Sequence, residues 1–530
     1  MQRDVGQLSG KTFDVLVVGG GIYGLTVACD AASRGLSVAL IERGDFGSGS
    51  SFNHLRTIHG GLRYLQSLDT RRARESIRER RTLARIAPHA VRPLAFALPL
   101  GRSLTRGRLA MRAAFLLDAL ISSDRNSGVA EALRLPAGTV VGRDEAIERF
   151  PGLSRRELTG AAVWHDYVTV ESDRLTFAWA MAAAAHGAVL ANYVEATSLL
   201  SEGGRVGGVQ AADRISTASL QIQARVTVDA TGAGVGRLAS SMPMPLLKAM
   251  NLVTRREAGA VALGGRSPSG RNLFLVPWRG RALFGTWESA RLCGPDETGI
   301  GGEEVSSFIA DVNHAFPSLD LTPADITLVH RGLVPAEVAV DGRVSLQGRD
   351  QVGDDVGGLV SVAGTKYTTA RAVAERIVDR LLAKLGQEPV PCRTAVDRLP
   401  GGDLSSGAAA VSPVRRADDL PDDASAHLVA AYGSRAGDVV SIASQRADWR
   451  TRVSPESPVI GAQLIWAVRH EMAVTLADAV IRRTPLGALG YPGDAPLEHA
   501  AQIVGAELGW PEERRRSEID AVRRFYVREC

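Results

Sequence analysis

Gly19, Gly21 and Gly24 stand as G-x-G-x-x-G (GGGIYG, residues 19–24) between an apolar run and a helical pattern. This arrangement suits the binding of a pyrophosphate. Gly19 allows a tight turn, Gly21 lets the backbone approach a phosphate, and Gly24 permits close packing of helix on strand. The helix start adds backbone N–H groups and a partial positive charge. Glu42 follows about 20 residues on, where a carboxylate accepts hydrogen bonds from a ribose. An acid there favours an unphosphorylated ribose and argues against NADP. The glycine spacing by itself is a weak signal and does not separate FAD from NAD.

Two later segments make that separation. Val228-Asp229-Ala230-Thr231-Gly232-Ala233-Gly234 resembles the Ala-Thr-Gly strand end that closes over the dinucleotide in two-domain flavoproteins. Val362-Ala363-Gly364-Thr365-Lys366 repeats a strand, a glycine turn and a helix, aiming a further helix start at the flavin end. A domain for NAD alone has no need of such late returns. FAD is therefore the expected cofactor, with Thr231, Gly232, Gly364 and Thr365 among its neighbours.

The elements that must position these residues are legible. Phe13–Val18 reads as a buried strand, Ile22–Arg34 as a helix and Ser37–Glu42 as the next strand. Arg71–Arg85 reads as a charged helix with a solvated face. Arg106–Ser122 is a second helix, with Leu109, Ala113, Leu116, Leu117 and Leu120 at helical spacing. A strand at Gly160–Trp164, a helix at Arg174–His186 and hairpin-like strands from Val194 to Val228 follow. Segments 251–287 and 325–350 are β-rich, and a helix covers Thr368–Leu385. The expected fold is α/β: a Rossmann-like FAD-binding domain, an antiparallel β-rich substrate domain and a C-terminal α-helical domain. Residues 1–400 form the oxidoreductase region, with FAD-binding parts near 11–90, 155–240 and 350–390 and substrate-binding parts near 91–154 and 241–349. Gly, Ser, Pro and Asp crowd residues 401–424, which read as a linker, and 425–530 is the helical domain.

Bulk properties exclude several classes. At 530 residues more than one domain is expected, and 45% apolar with 23% charged residues is ordinary globular composition. The net charge of +4 comes from arginine, since the only lysines are Lys11, Lys248, Lys366 and Lys384. That bias does not call for a nucleic-acid partner. Cys29, Cys293, Cys392 and Cys530 show no metal or disulfide spacing, so reduced thiols and no metal are expected. No apolar run is long enough to span a bilayer, and the polar start lacks a signal-peptide pattern, which points to the cytoplasm.

At SSFNHLRTIHGGLRYL (Ser50–Leu65), together with the first glycine segment and GTKYTTAR (Gly364–Arg371), the chain resembles the FAD-dependent glycerol-3-phosphate dehydrogenases of the D-amino-acid-oxidase-like superfamily. The resemblance continues through Trp164-His165-Asp166, Asp173-Arg174-Leu175, Val276-Pro277-Trp278, Gly285-Thr286, Glu471-Met472-Ala473 and Asp478–Thr484, covering nearly the whole chain. It implies oxidation of the secondary alcohol of glycerol 3-phosphate, or a related polyol phosphate, to dihydroxyacetone phosphate or its counterpart. A hydride would pass to flavin N5, and electrons onward to a quinone or another acceptor. Lys366 and Arg349 match family residues at the substrate, and His59 is either a proton acceptor or a hydrogen-bond partner of backbone near the ring. Arg63 is either a substrate ligand or a structural ion-pair partner. Ser50 and Ser51 fall with the cofactor. A peripheral contact with the inner face of the plasma membrane, and a homodimer, are family expectations.

The match departs at the substrate end. The family's phosphate-holding arginine belongs to a Gly-Val-Arg-Pro-Leu segment, whereas this chain has Gly332-Leu333-Val334-Pro335-Ala336. Valine cannot make arginine's bidentate contact. Arg331 is a substitute, though on a strand it points to the opposite face. Asn53-His54-Leu55-Arg56 replaces a small-residue run ending in lysine, and Trp287 replaces a threonine. An alternative is therefore a same-fold oxidoreductase acting on a different hydroxy acid, amine or sugar-derived alcohol. Another is a flavin-binding assembly partner, against which Lys366, Arg349 and His59 argue. Some members of the superfamily attach FAD through a histidine, and His54 leaves a covalent link open.

Overall fold

Five strands run parallel at the centre of the first sheet. Thr12–Val18 lies between Val38–Glu42 and Ser219–Asp229, with Val189–Asn192 outside the former and Leu359–Ala363 outside the latter. This computed structural model describes residues 1–65, 68–103, 107–238, 244–354, 356–403 and 420–526. Val15 and Val17 face one side of the sheet and Leu16 and Val18 the other, and both sides are covered. That is why residues 15–18, VLVV, read as a continuous apolar run rather than an alternating one. On the first side the helix Ile22–Ser33 turns Ala28, Cys29, Ala31 and Ala32 inward. Such small side chains let the helices Ser172–Ala185 and Ala370–Lys384 pack against it. A hairpin, Val194–Glu202 with Arg205–Asp213, covers the other side of the sheet, and with the edge strand Gln351–Gly353 beside Leu359–Ala363 it brings the sheet to eight strands.

The second sheet has ten strands and is antiparallel except where Val261–Arg266 runs parallel to Arg92–Leu100. Its members include Gly160–Val168, which is longer than the strand expected there. At the end nearest the first sheet, Leu246–Glu257 pairs with Ile326–Val338 in unbroken register from Leu246↔Pro335 to Val253↔Leu328. One face of this pair carries Met250, Leu252 and Val329 against the helix Gly302–Ala315. The opposite face carries Asn251, His330, Gly332 and Val334, and looks toward the first domain.

Two sequence expectations change. The helix Thr70–Ile86 does not present a merely solvated charged face. Ala73, Ile77, Glu79, Arg80, Leu83 and Ile86 are buried, because Glu79 pairs with Arg371 at 2.6 Å and Arg80 with Asp166. The helix Arg108–Ile121 buries Met111 and Phe115, while Leu109, Leu116 and Leu120 are exposed. Its leucine stripe therefore points outward. Most of the expected linker, 404–419, and Cys530 lie outside the described residues, and residues 422–424 already belong to the helix Asp422–Tyr432. Cys29, Cys293 and Cys392 are free. Among the described residues no helix is long and apolar enough to cross a membrane.

The C-terminal helices are fastened to the first domain by buried ion pairs. Arg483 grips Asp45 in a bidentate contact of 2.6 and 2.7 Å, and Arg482 adds a third bond at 2.7 Å. Arg174 holds Glu471 at 2.7 and 3.0 Å. Against the desolvation of burial, Arg483 and Arg482 keep the Asp45 carboxyl below the usual carboxylate range. Asp45→Asn leaves two buried guanidinium groups short of their counter-charge. The expected loss is about 3–5 kcal/mol of stability, read as a lower midpoint of chemical denaturation.

Candidate functional site

Each of the three glycine turns follows the C-terminal end of a parallel strand, and the three strands are neighbours: Thr12–Val18, Ser219–Asp229 and Leu359–Ala363. Gly19 has φ +108°, and a Cβ there would lie 2.5 Å from the Ala230 carbonyl oxygen. A Cβ on Gly24 would lie 1.9 Å from the Gly19 oxygen. These two glycines are demanded by packing. Gly21 is different: its φ of −77° relative to ψ near 180° suits any residue, and only Ser51 Oγ, at 3.3 Å, stands near its missing Cβ. Gly232, at φ +63°, has nothing among the described residues within 4 Å of that position. The turns are thus closed on the protein side and open on the other.

That open side fits an adenine dinucleotide. The helix Ile22–Ser33 begins at Gly21 without a side-chain cap, and the Ile22 N–H donates to Ser51 Oγ at 2.9 Å. Glu42 accepts from the Gly20 and Gly44 N–H groups at 2.7 and 2.8 Å, and burial raises its pKa. A carboxylate has further lone pairs, so a ribose hydroxyl can still be accepted. Thr231 spends its N–H and hydroxyl on Asp229 Oδ1, at 3.1 and 2.6 Å, which sets the shape of the second turn. At the third turn Thr365 Oγ1 donates to the Gln347 carbonyl at 3.0 Å. A Cβ on Gly364 would lie 2.2 Å from Tyr23 Oη. Tyr23 Oη in turn donates to the Lys366 carbonyl at 3.2 Å. Ser50 Oγ donates to the Leu333 carbonyl at 3.1 Å, tying the cofactor loop to the second sheet.

Lys366 extends from the third turn to the Tyr64 ring, with Nζ 4.8 Å from its centroid, and donates to the Gly348 carbonyl at 2.7 Å. Arg63 donates to Tyr64 Oη at 3.0 Å. Although burial pushes the Tyr64 phenol up, Arg63 and Lys366 bring its pKa below the ordinary value. Arg72 was not singled out in the sequence. It lies 4.5 Å from the same ring and also donates to the Gly348 carbonyl. Arg349 is mostly exposed, 3.8 Å from Asp69.

His59 is half exposed. Its Nε2 lies 2.7 Å from Thr57 Oγ1 and its Nδ1 3.9 Å from Asp166 Oδ2, so its ring is held by side chains rather than backbone. Asp166 is buried. It accepts from the Gly60 N–H at 2.6 Å and Trp164 Nε1 at 3.1 Å. Against the desolvation of burial, Arg80 and His59 hold its carboxyl below the usual range. Val334 and Gly332 share the inner face of their strand; a Cβ on Gly332 would lie 3.7 Å from Ser50 Oγ. Arg331 is on the other face, paired across from Met250, and its N–H donates to Asn53 Oδ1 at 3.0 Å. Arg56, in place of the expected lysine, is fully buried between Phe52 and Trp278 and pairs with Asp173 at 3.0 Å. The His54 ring stacks on Tyr367 at 4.8 Å, and its buried Nε2 has no hydrogen-bond partner among the described residues.

Comparison with known proteins gives a concordant result. Residues 14–380 match the family described as FAD dependent oxidoreductase, and residues 392–515 match the C-terminal domain of alpha-glycerophosphate oxidase. The chain is 28% identical to a glycerol-3-phosphate dehydrogenase of Synechocystis over 100% of its own length and 99% of the relative's. It is 31% identical to one of Mycobacterium leprae over 95% and 86%. The crystal structure of the glycerol-3-phosphate dehydrogenase from Bacillus halodurans complexed with FAD superposes with a TM-score of 0.76 at 25% identity, covering 98% of this chain and 96% of that one.

Proposed function

The chain belongs to the FAD-dependent oxidoreductases of the glycerol-3-phosphate dehydrogenase type, and we propose that it oxidises the secondary alcohol of glycerol 3-phosphate to dihydroxyacetone phosphate. FAD, when bound, supplies the two-electron acceptor. The open sides of Gly21 and Gly232 hold the dinucleotide, and Glu42 holds a ribose. Lys366, Arg63 and Arg349 attract the substrate's anionic end and orient its carbinol carbon. His59 takes the hydroxyl proton at a ring nitrogen, its ring held in place by Thr57 and Asp166. The observation that carries this reading is the meeting of Lys366 and Arg63 at Tyr64, beside the third glycine turn.

Val334 favours a second reading, in which the same residues oxidise another hydroxy acid, an amine or a sugar-derived alcohol. An anaerobic panel separates the two. Rapid bleaching of the bound flavin by glycerol 3-phosphate is the expected result; bleaching only by unphosphorylated compounds selects the second reading, and bleaching by none contradicts both.

We infer that the electrons leave for a quinone or another acceptor. The outward leucines at 109, 116 and 120, flanked by Arg108 and Arg112 on one helix, support a peripheral contact with an anionic bilayer.

A further inference from the structure

The geometry points to Arg72 as the residue that holds the substrate's oxyanion, in the place left without a donor by Val334. This deepens the reading above and rests on it for the identity of the anion, a phosphate monoester or a carboxylate. Arg72 and Lys366 both donate to one oxygen, the Gly348 carbonyl. Two full positive charges thus share a single neutral acceptor. Arg72 lies 4.5 Å, Lys366 4.8 Å and Arg63 5.0 Å from the Tyr64 ring. Among the described residues the acids facing this group are Asp69, 3.5 Å from Arg72 and 3.8 Å from Arg349, and Glu337, which lies beside Gly348. Four cations against two carboxylates leave the locus positive.

Chemistry at the locus suits an oxyanion. The Arg72 guanidinium is a planar fork able to take two oxygens of a phosphate or carboxylate. Lys366 Nζ has donors beyond the one used on Gly348. Tyr64, made more acidic by Arg63 and Lys366, is a stronger hydroxyl donor. Across the site, the inner face of the strand Ile326–Val338 presents Val334, and Arg331 is turned to the far side. The anion is therefore gripped from the helix Thr70–Ile86 rather than from the strand.

The FAD holoenzyme titrated with inorganic phosphate, followed by flavin absorbance, tests this independently of turnover. Arg72→Leu is expected to weaken phosphate binding about 10- to 100-fold, the effect of one charge-assisted contact, with FAD content unchanged. Arg72→Lys restores part of the loss, and Arg71→Leu, on the exposed neighbour, changes nothing. With glycerol 3-phosphate the Arg72→Leu loss falls on KM rather than kcat. If phosphate perturbs neither protein, or both with equal affinity, the assignment is overturned. If phosphate binding depends on Arg72 yet glycerol 3-phosphate never bleaches the flavin, the anion site stands and the substrate reading fails.

Discussion

Gly21→Val is expected to give a chain of unchanged thermal stability that no longer retains FAD. The backbone at Gly21 has φ −77° and tolerates any side chain, and the only atom near the absent Cβ is Ser51 Oγ at 3.3 Å. The fold therefore does not require this glycine. The cofactor does, because a valine occupies the space through which a pyrophosphate approaches the backbone at the helix start. Overpacking of about 1–3 kcal/mol together with a lost hydrogen bond of about 1 kcal/mol weakens FAD by roughly 30- to 1,000-fold. Flavin absorbance after gel filtration measures the loss, and a melting curve of the apo chain checks the fold. Gly24→Val offers the contrast: its Cβ would strike the Gly19 carbonyl, so it should lower stability as well as FAD content.

Lys366→Met is expected to lower kcat/KM for glycerol 3-phosphate by about 10- to 100-fold while FAD remains bound, the cost of removing one charge-assisted contact to the substrate's anionic end. The other lysines are engaged elsewhere: Lys248 with Glu304, Lys384 with Asp354 and Lys11 over Phe13. Lys366 instead emerges from the third glycine turn and spends one donor on a neutral carbonyl. Methionine keeps the length and loses the charge. A variant with normal kcat/KM would remove Lys366 from substrate binding and leave it a structural cation.

The glycine turns were legible because their chemistry is local. A strand, a turn of fixed spacing and a helix suffice to identify each, and the adjacency of their three strands follows from parallel α/β topology. Strand period likewise foretold that Arg331 and Val334 face opposite ways, three residues apart. Less of the substrate end could be read. Arg72 sits among the many arginines of one helix, and only the approach of Gly348, 276 residues away, distinguishes it. Glu79 and Arg80 looked like solvated charges because their partners, Arg371 and Asp166, are remote in sequence. The outward leucines of the helix Arg108–Ile121 show the same limit: helical spacing marks an apolar stripe but not what it faces.

We propose that three neighbouring glycine turns hold FAD with its reactive end beside Lys366. A crystal structure of the holoenzyme, frozen anaerobically with glycerol 3-phosphate, tests it most directly. The expected result is the pyrophosphate against Gly21 and the start of the helix Ile22–Ser33, a ribose on Glu42, and the flavin ring and substrate within hydrogen-bond reach of Lys366. A dinucleotide lying away from Gly21 and Gly232, or a ring and substrate out of reach of Lys366, would contradict it.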